Sequence, residues 1–214
     1  MTKWTTIQFE LSLLLFSYGC TVLGPVTDRS RFYILTSDSG APSRSSIGRT
    51  DLTIGLGPVS IPQYLDRTGL ATRIGATRIE YSSNDRWAEP LNECFPRILS
   101  QDLSHDLGTD RVILFPWNRS LGVNYQVQVD VTRFEIVSGN DAELYARWLI
   151  KDPGSGRILH SGYSNQSRAA GMDGASRTEA LSRTVNGLSM DIASELQRLA
   201  ERRSLNVHIN SQAD

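Results

Sequence analysis

Apolar and polar residues alternate most clearly in the second half of the chain. Tyr125, Val127, Val129 and Val131 occupy every other position, with Gln126, Gln128, Asp130 and Thr132 between them. Successive side chains of a strand point to opposite faces, so this segment reads as a strand with one apolar and one wet face. Ser138-Gly139-Asn140-Asp141 supplies turn chemistry. A return strand follows, with Leu144, Ala146, Trp148 and Ile150 on one face. Asp152-Pro153-Gly154-Ser155-Gly156 is a second turn and Arg157–Tyr163 a third strand, which together predict an antiparallel meander.

The first half is more broken. Arg31–Leu35 and Asp51–Leu56 read as strands, separated by a loop rich in Ser, Gly and Pro from Ser37 to Arg49. Pro58 and Pro62 are expected to end the second strand. The spacing Gly55-Leu56-Gly57 before Pro58 fits a strand bend or bulge better than a phosphate cradle. Two brief extended pieces are expected at Ala71–Ile74 and Arg78–Tyr81, and a short apolar strand over Arg111–Phe115.

Two segments carry helical periodicity. Leu91, Phe95, Ile98 and Leu99 fall on one face, with Leu103 and Leu107 near it. Pro90 suits the first turn and Gly108 the C-terminal cap, while Pro96 predicts a kink or a helix with a shifted start. Near the C-terminus, Leu181, Val185, Leu188, Ile192, Leu196 and Leu199 recur at three- and four-residue steps. Ser176 and Glu179 have capping-box spacing at its start, and Arg183, Asp191, Glu195 and Arg198 form its wet face. The helix is expected over Arg177–Arg202, with a frayed tail to Asp214. These elements predict an α+β fold: a mainly antiparallel β-sheet with two main helices packed on one face.

The N-terminal segment stands apart. Lys3 is followed by a mostly apolar stretch ending Leu13-Leu14-Leu15-Phe16-Ser17-Tyr18-Gly19-Cys20. Its apolar part is shorter than the roughly 20 residues a spanning helix needs. This is the layout of a lipoprotein signal, with Cys20 as the lipid acceptor, although Ser17 and Tyr18 depart from the usual residues. A plain buried segment or an uncleaved anchor is the competing reading. The expected organisation is a signal peptide over 1–19, a lipidated tether over 20–30, a folded domain over 31–203 and a polar tail over 204–214.

Charge and candidate chemistry add limits. With 22 basic and 23 acidic side chains the net charge is -1, which gives no electrostatic footprint for nucleic acid. Cys94 is expected to be a small apolar residue on a helix. The histidines are His105, His160 and His208, and no motif places a nucleophile, base and oxyanion donors around them. The chain is therefore expected to be no enzyme and to carry no cofactor or metal. Tyr64-Leu65-Asp66-Arg67 follows two prolines, and an aromatic-plus-Arg cluster on a loop favours protein contacts. Trp87 beside Glu89-Pro90 either joins that surface or staples the entrance of the first helix.

Four segments resemble one family in order and spacing. They are Ile54–Arg67 (Ile-Gly-Leu-Gly-Pro-Val-Ser-Ile-Pro-Gln-Tyr-Leu-Asp-Arg), Arg86-Trp87-Ala88-Glu89-Pro90-Leu91, Pro116-Trp117, and Val129-Asp130-Val131-Thr132-Arg133-Phe134-Glu135. From Arg31 to about Leu199 the chain resembles the ABC-type transport auxiliary lipoproteins, the PqiC/YmbA-like family. The resemblance implies a periplasmic lipoprotein, a docking component of a lipid-trafficking system with an MCE-domain protein, a permease and an ATPase. It also implies the outer membrane, since Thr21 follows Cys20 where inner-membrane lipoproteins commonly carry Asp. The expected contact residues are Tyr64, Leu65, Asp66, Arg67 and Trp87, toward an MCE-type partner or a second copy of the chain. The alternative is a lipid carrier with cargo between sheet and helices, and a hydrolase stands behind both.

Overall fold

The structure, a computed structural model, describes residues 28–37, 52–137 and 140–211. Cys20, the leader before it and the tether through residue 27 lie outside the described residues, as does most of the Ser/Gly/Pro-rich segment. From Arg31 onward the chain forms one unit.

Its strands are β1 (Arg31–Tyr33), β2 (Ile54–Ser60), β3 (Gly69–Ile74), β4 (Arg78–Trp87), β5 (Val112–Leu114), β6 (Tyr125–Val137), β7 (Asp141–Lys151) and β8 (Ile158–Ala169). Two helices accompany them, α1 (Leu91–Leu107) and α2 (Gly174–Ser211). The alternation over residues 125–131 makes β6 the centre of the sheet. On one edge it carries the expected meander: Gln126–Val137 pairs antiparallel with Asp141–Lys151, and β7 pairs antiparallel with β8.

The other edge of β6 is shared. Its first half takes β2 in parallel, and Ile136 and Val137 take Thr72 and Arg73 of β3 in parallel. The sheet continues outward through β2 to β5, and through β3 and β4 to β1. It is therefore mixed. The antiparallel ladders are the long ones, and the short parallel pairings appear where the first half of the chain docks onto β6. Parallel neighbours need long crossovers, and α1 lies in the long connection between β2 and its parallel neighbour β5.

Both helices pack on the face that presents Val127, Val129 and Val131 of β6 and Leu144, Ala146, Trp148 and Ile150 of β7. The predicted stripe of α2 is core: Leu181, Val185, Leu188, Ile192 and Leu196 are each at most 2% exposed. These side chains fill the layer that a carrier would keep for cargo. Gly108 caps α1 in the left-handed conformation, donating its N–H to His105 O at 3.2 Å.

Several expected boundaries move. Pro58 lies inside β2 rather than ending it, because the register shift between Leu56 and Val59 takes Pro58 out of the ladder. Proline is tolerated at such a bulge since no ladder N–H is required of it. β4 runs on to Trp87 because β1 and β3 pair with both of its edges. α1 is continuous with Pro96 inside it, and Pro90 occupies the cap position rather than the first turn. The cap of α2 is Asp173, whose carboxylate accepts from Ser176 N at 3.0 Å and Ser176 Oγ at 2.7 Å. Glu179 instead pairs with Arg183 one turn on, at 2.8 Å. Beyond the expected end of that helix, α2 continues to Ser211.

Candidate functional site

The family-like segments around residues 58–67 and 129–135 meet at one place. Pro62, at φ -58° and ψ 140°, leads into a 3-10 turn over Gln63–Leu65, closed by Leu65 N donating to Pro62 O at 2.9 Å. A turn this tight sends neighbouring side chains in different directions. Leu65 enters the core at 2% exposure, and the Tyr64 hydroxyl donates to Glu135 Oε2 at 2.5 Å.

Glu135 reaches this position through a β-bulge. With Val127, Val129 and Val131 facing the helices, strict alternation would send residues 133 and 135 the same way. The register shift between Val131 and Arg133 inverts the pattern. Phe134 and Ile136 then enter the core, at 2% and 0% exposure, and Glu135 goes to the opposite face. There it is covered completely, at 0% exposure.

A buried carboxylate needs charged and hydrogen-bonding partners to stay ionised. Arg73 Nε donates to Glu135 Oε1 at 2.5 Å, and Arg133 Nε lies 3.6 Å from the same oxygen. Arg133 also donates to Glu143 Oε2 at 2.7 Å and lies over the Tyr145 ring at 4.6 Å. Burial raises the Tyr64 phenol well above its ordinary pKa, and its bond to Glu135 raises it further, against the lowering influence of Arg73. For Arg73, burial is the largest influence and works against the charge, but the hydrogen bonds and charges of Glu135 and Tyr64 together outweigh it and the net shift is upward. The phenol stays protonated as donor and the guanidinium stays charged as counter-ion. Beside this clasp an open concavity of about 420 Å³ is lined by Arg73, Gly75, Ala76, Arg133, Val137 and Glu143.

A second pair of family-like segments also packs together. A Cβ on Gly55 would lie 2.5 Å from the Trp117 ring, and one on Gly57 would lie 2.6 Å from Phe115 Cβ. The Gly-Leu-Gly-Pro segment is bare so that Phe115-Pro116-Trp117 can lie on it. Phe115 meets Trp117 edge-on at 5.6 Å between centroids. Phe115, Leu121 and Leu114 remain 55%, 49% and 37% exposed, an apolar margin running from the end of β5 to the 3-10 turn over Arg119–Leu121.

The expected contact residues are therefore divided. Asp66 and Arg67 are exposed. Leu65 and Trp87 are core, so neither offers a surface to a partner. Trp87 is 7% exposed and stacks on Phe134 at 6.5 Å, with Phe95 edge-on to Phe134 at 5.3 Å. Tyr64 is half-buried with its hydroxyl turned inward, which makes it a fastener rather than an outward anchor. Sequence reasoning missed Glu135 and Arg73 in this role. The available signal was an acidic residue in a run otherwise reading as strand core.

The remaining chemistry-bearing side chains have structural partners. Cys94 is fully buried, and burial pushes its thiol up to about 12. His160 stacks on Trp148 at 5.3 Å and lies 3.1 Å from Glu195. Trp148 Nε1 donates to Ser164 Oγ at 3.0 Å, and Ser164 Oγ donates to Asp191 at 2.7 Å. This polar seam joins β8 to the wet face of α2.

Comparison with known proteins agrees with this architecture. The crystal structure of protein XCC0632 from Xanthomonas campestris, of family-model DUF330, superposes with a TM-score of 0.67 at 13% identity. It covers 82% of this chain and 99% of its own. The crystal structure of an uncharacterised protein superposes with a TM-score of 0.62 at 19% identity, covering 78% of this chain and 98% of its own. At these identities the two structures show the shared fold. No curated protein matches the sequence at a significant level. The family model for the ABC-type transport auxiliary lipoprotein component matches residues 33–193, a span holding the buried stripe of α1, that of α2 as far as Ile192, the clasp and the Gly55–Trp117 contact. The chain belongs to the ABC-type transport auxiliary lipoprotein family.

Proposed function

We propose that this protein is a lipid-anchored docking subunit of an MCE-type ABC system that moves lipid between the inner and outer membranes. Cys20 is its lipidated residue, and the outer membrane is its anchorage. The observation that carries the reading is how the family-like segments are used. Segments 58–67 and 129–135 lock together through Tyr64, Glu135 and Arg73 on the sheet face opposite the helices. That arrangement leaves Asp66 and Arg67 exposed on a braced turn. A braced turn loses little conformational entropy on docking, and Arg is among the side chains enriched at interface hot spots. The packed layer beneath α2 favours docking over carriage of lipid inside the domain.

The test is co-purification of the full chain with an MCE-domain protein of the same organism. Asp66→Ala with Arg67→Ala should weaken association at least tenfold while the melting temperature stays within about a degree. Association unchanged in the double variant would move the docking surface elsewhere, first to the apolar margin of Leu114, Phe115 and Leu121. Absence of any complex with the wild-type chain would sink the MCE reading. Mass spectrometry of the mature N-terminus decides lipidation separately: an unmodified Cys20 would refute it.

A further inference from the structure

We propose that the β1 edge of the sheet, through Phe32 and Ile34, lies against the phospholipid surface to which the chain is tethered. This deepens the docking reading and rests on Cys20 being the lipidated residue.

Among the described residues, β1 is the terminal strand of its side of the sheet and pairs with β4 alone. Its side chains alternate as a strand requires. Leu35 is 1% exposed, and Tyr33 packs on the core and against Gly174 at the start of α2. Phe32 and Ile34 therefore point the other way, and they are 63% and 46% exposed. Phe32 on the edge strand and Ile34, one residue past its end, thus form an exposed apolar pair of the kind that marks an interaction surface. Aromatic side chains at a membrane margin bury their rings at headgroup depth.

Covalent geometry limits how far they can lie from the anchor. Eleven residue steps separate Cys20 from Arg31. At about 3.3–3.6 Å per residue, a lipid on Cys20 keeps β1 within roughly 40 Å of the bilayer. No other described strand is as close to the anchor along the chain. The charges around the pair suit anionic headgroups. Phe32 lies opposite Arg86 in the β1–β4 register, and Gly69 lies opposite Arg86 on the other side, two residues after the exposed Arg67. Arg31 is 60% exposed even while bonded to Asp85 at 2.8 Å. Asp66, Asp85 and Asp173 are acidic groups of the same corner; Arg31 and Asp85 offset each other, so the basic contribution comes from Arg67 and Arg86.

The experiment uses the mature chain reconstituted in vesicles of phosphatidylethanolamine and phosphatidylglycerol at three to one. Phe32→Cys and Ile34→Cys are labelled in turn with an environment-sensitive fluorophore; Cys94 is buried and does not compete, and a Cys20→Ser background, held on the vesicles by a nickel-chelating lipid and a histidine tag at its N-terminus, removes the other thiol where Cys20 is not acylated. Tyr163→Cys and Met172→Cys, at positions 80% and 81% exposed, are controls. Labels at 32 and 34 should shift to the blue and be quenched at least threefold more by headgroup-level nitroxide lipid than the controls. Quenching equal to the controls overturns the proposal, whether or not Cys20 carries lipid. A blue shift that depends on protein concentration and not on vesicles also overturns it and makes the edge a contact between copies. An unmodified Cys20 in the mass spectrum refutes the anchoring reading and the tether argument with it, whereas quenching equal to the controls on an acylated chain overturns the membrane contact alone.

Discussion

Tyr64→Phe removes one hydroxyl and leaves the rest of the clasp in place. The lost bond is a 2.5 Å contact to a carboxylate with 0% exposure. A hydrogen bond to a charged group contributes about 1.5–3 kcal/mol, and its loss here leaves a buried acceptor with one partner fewer. For a unit of this size each kcal/mol moves the melting temperature by roughly 2–4 °C. The variant should therefore melt about 6 °C below wild type. Glu135→Ala goes further, because it strands the mostly buried Arg73 guanidinium, and breaking a buried pair costs about 3–5 kcal/mol. The alkaline limb of stability supplies a second signature. The folded Tyr64 pKa lies above its ordinary value of 10.0. Between the two, the unfolded chain loses a proton that the folded chain keeps, so stability falls as pH rises above about 10. The clasp's contribution is fully present below that pH, and Tyr64→Phe should flatten this part of the decline. The assay is chemical denaturation of wild type and variant from pH 7 to pH 11. A Tyr64→Phe protein that melts within a degree of wild type and keeps the same alkaline slope would refute the phenol–carboxylate bond.

Three further outcomes follow from the packing. Gly55→Ala should destabilise by about 1–3 kcal/mol and shift tryptophan fluorescence, since its methyl would press into Trp117 at 2.5 Å; an unperturbed spectrum would show that the ring does not lie there. Leu188→Asp should cost about 4 kcal/mol or more, because a charge would be buried without a partner at a position 0% exposed. A mutant melting near wild type would mean that the α2 stripe is not core. Cys94, with its thiol held up to about 12, should resist aqueous thiol reagents at pH 8 until denaturant is added; prompt labelling of the native protein would contradict its burial.

The α+β class, the meander and both helical stripes were legible because each is written in a local period. A strand repeats every two residues and a helix every 3.6, and burial of one face enforces the pattern. The Gly108 cap was equally local, since only the backbone there must turn left-handed. Tertiary pairing decided what local pattern could not. The full length of β4 depends on neighbours at both edges. Pro58 stays inside β2 because a bulge takes it out of the ladder. The capping-box spacing of Ser176 and Glu179 lost to Asp173, whose carboxylate reaches Ser176 directly. Of the residues expected to meet a partner, Asp66 and Arg67 are exposed, whereas the Tyr64 hydroxyl turns inward and Leu65 and Trp87 are buried, Trp87 as the packing residue that was its other reading. The reason is the single inserted residue near Thr132. It turns Glu135 from the core face to the opposite one, and a buried carboxylate there calls in Tyr64 and Arg73 from segments about 70 and 60 residues away. A period of two says which residues share a face. It does not say where the period slips, because the slip is fixed by the partner strand.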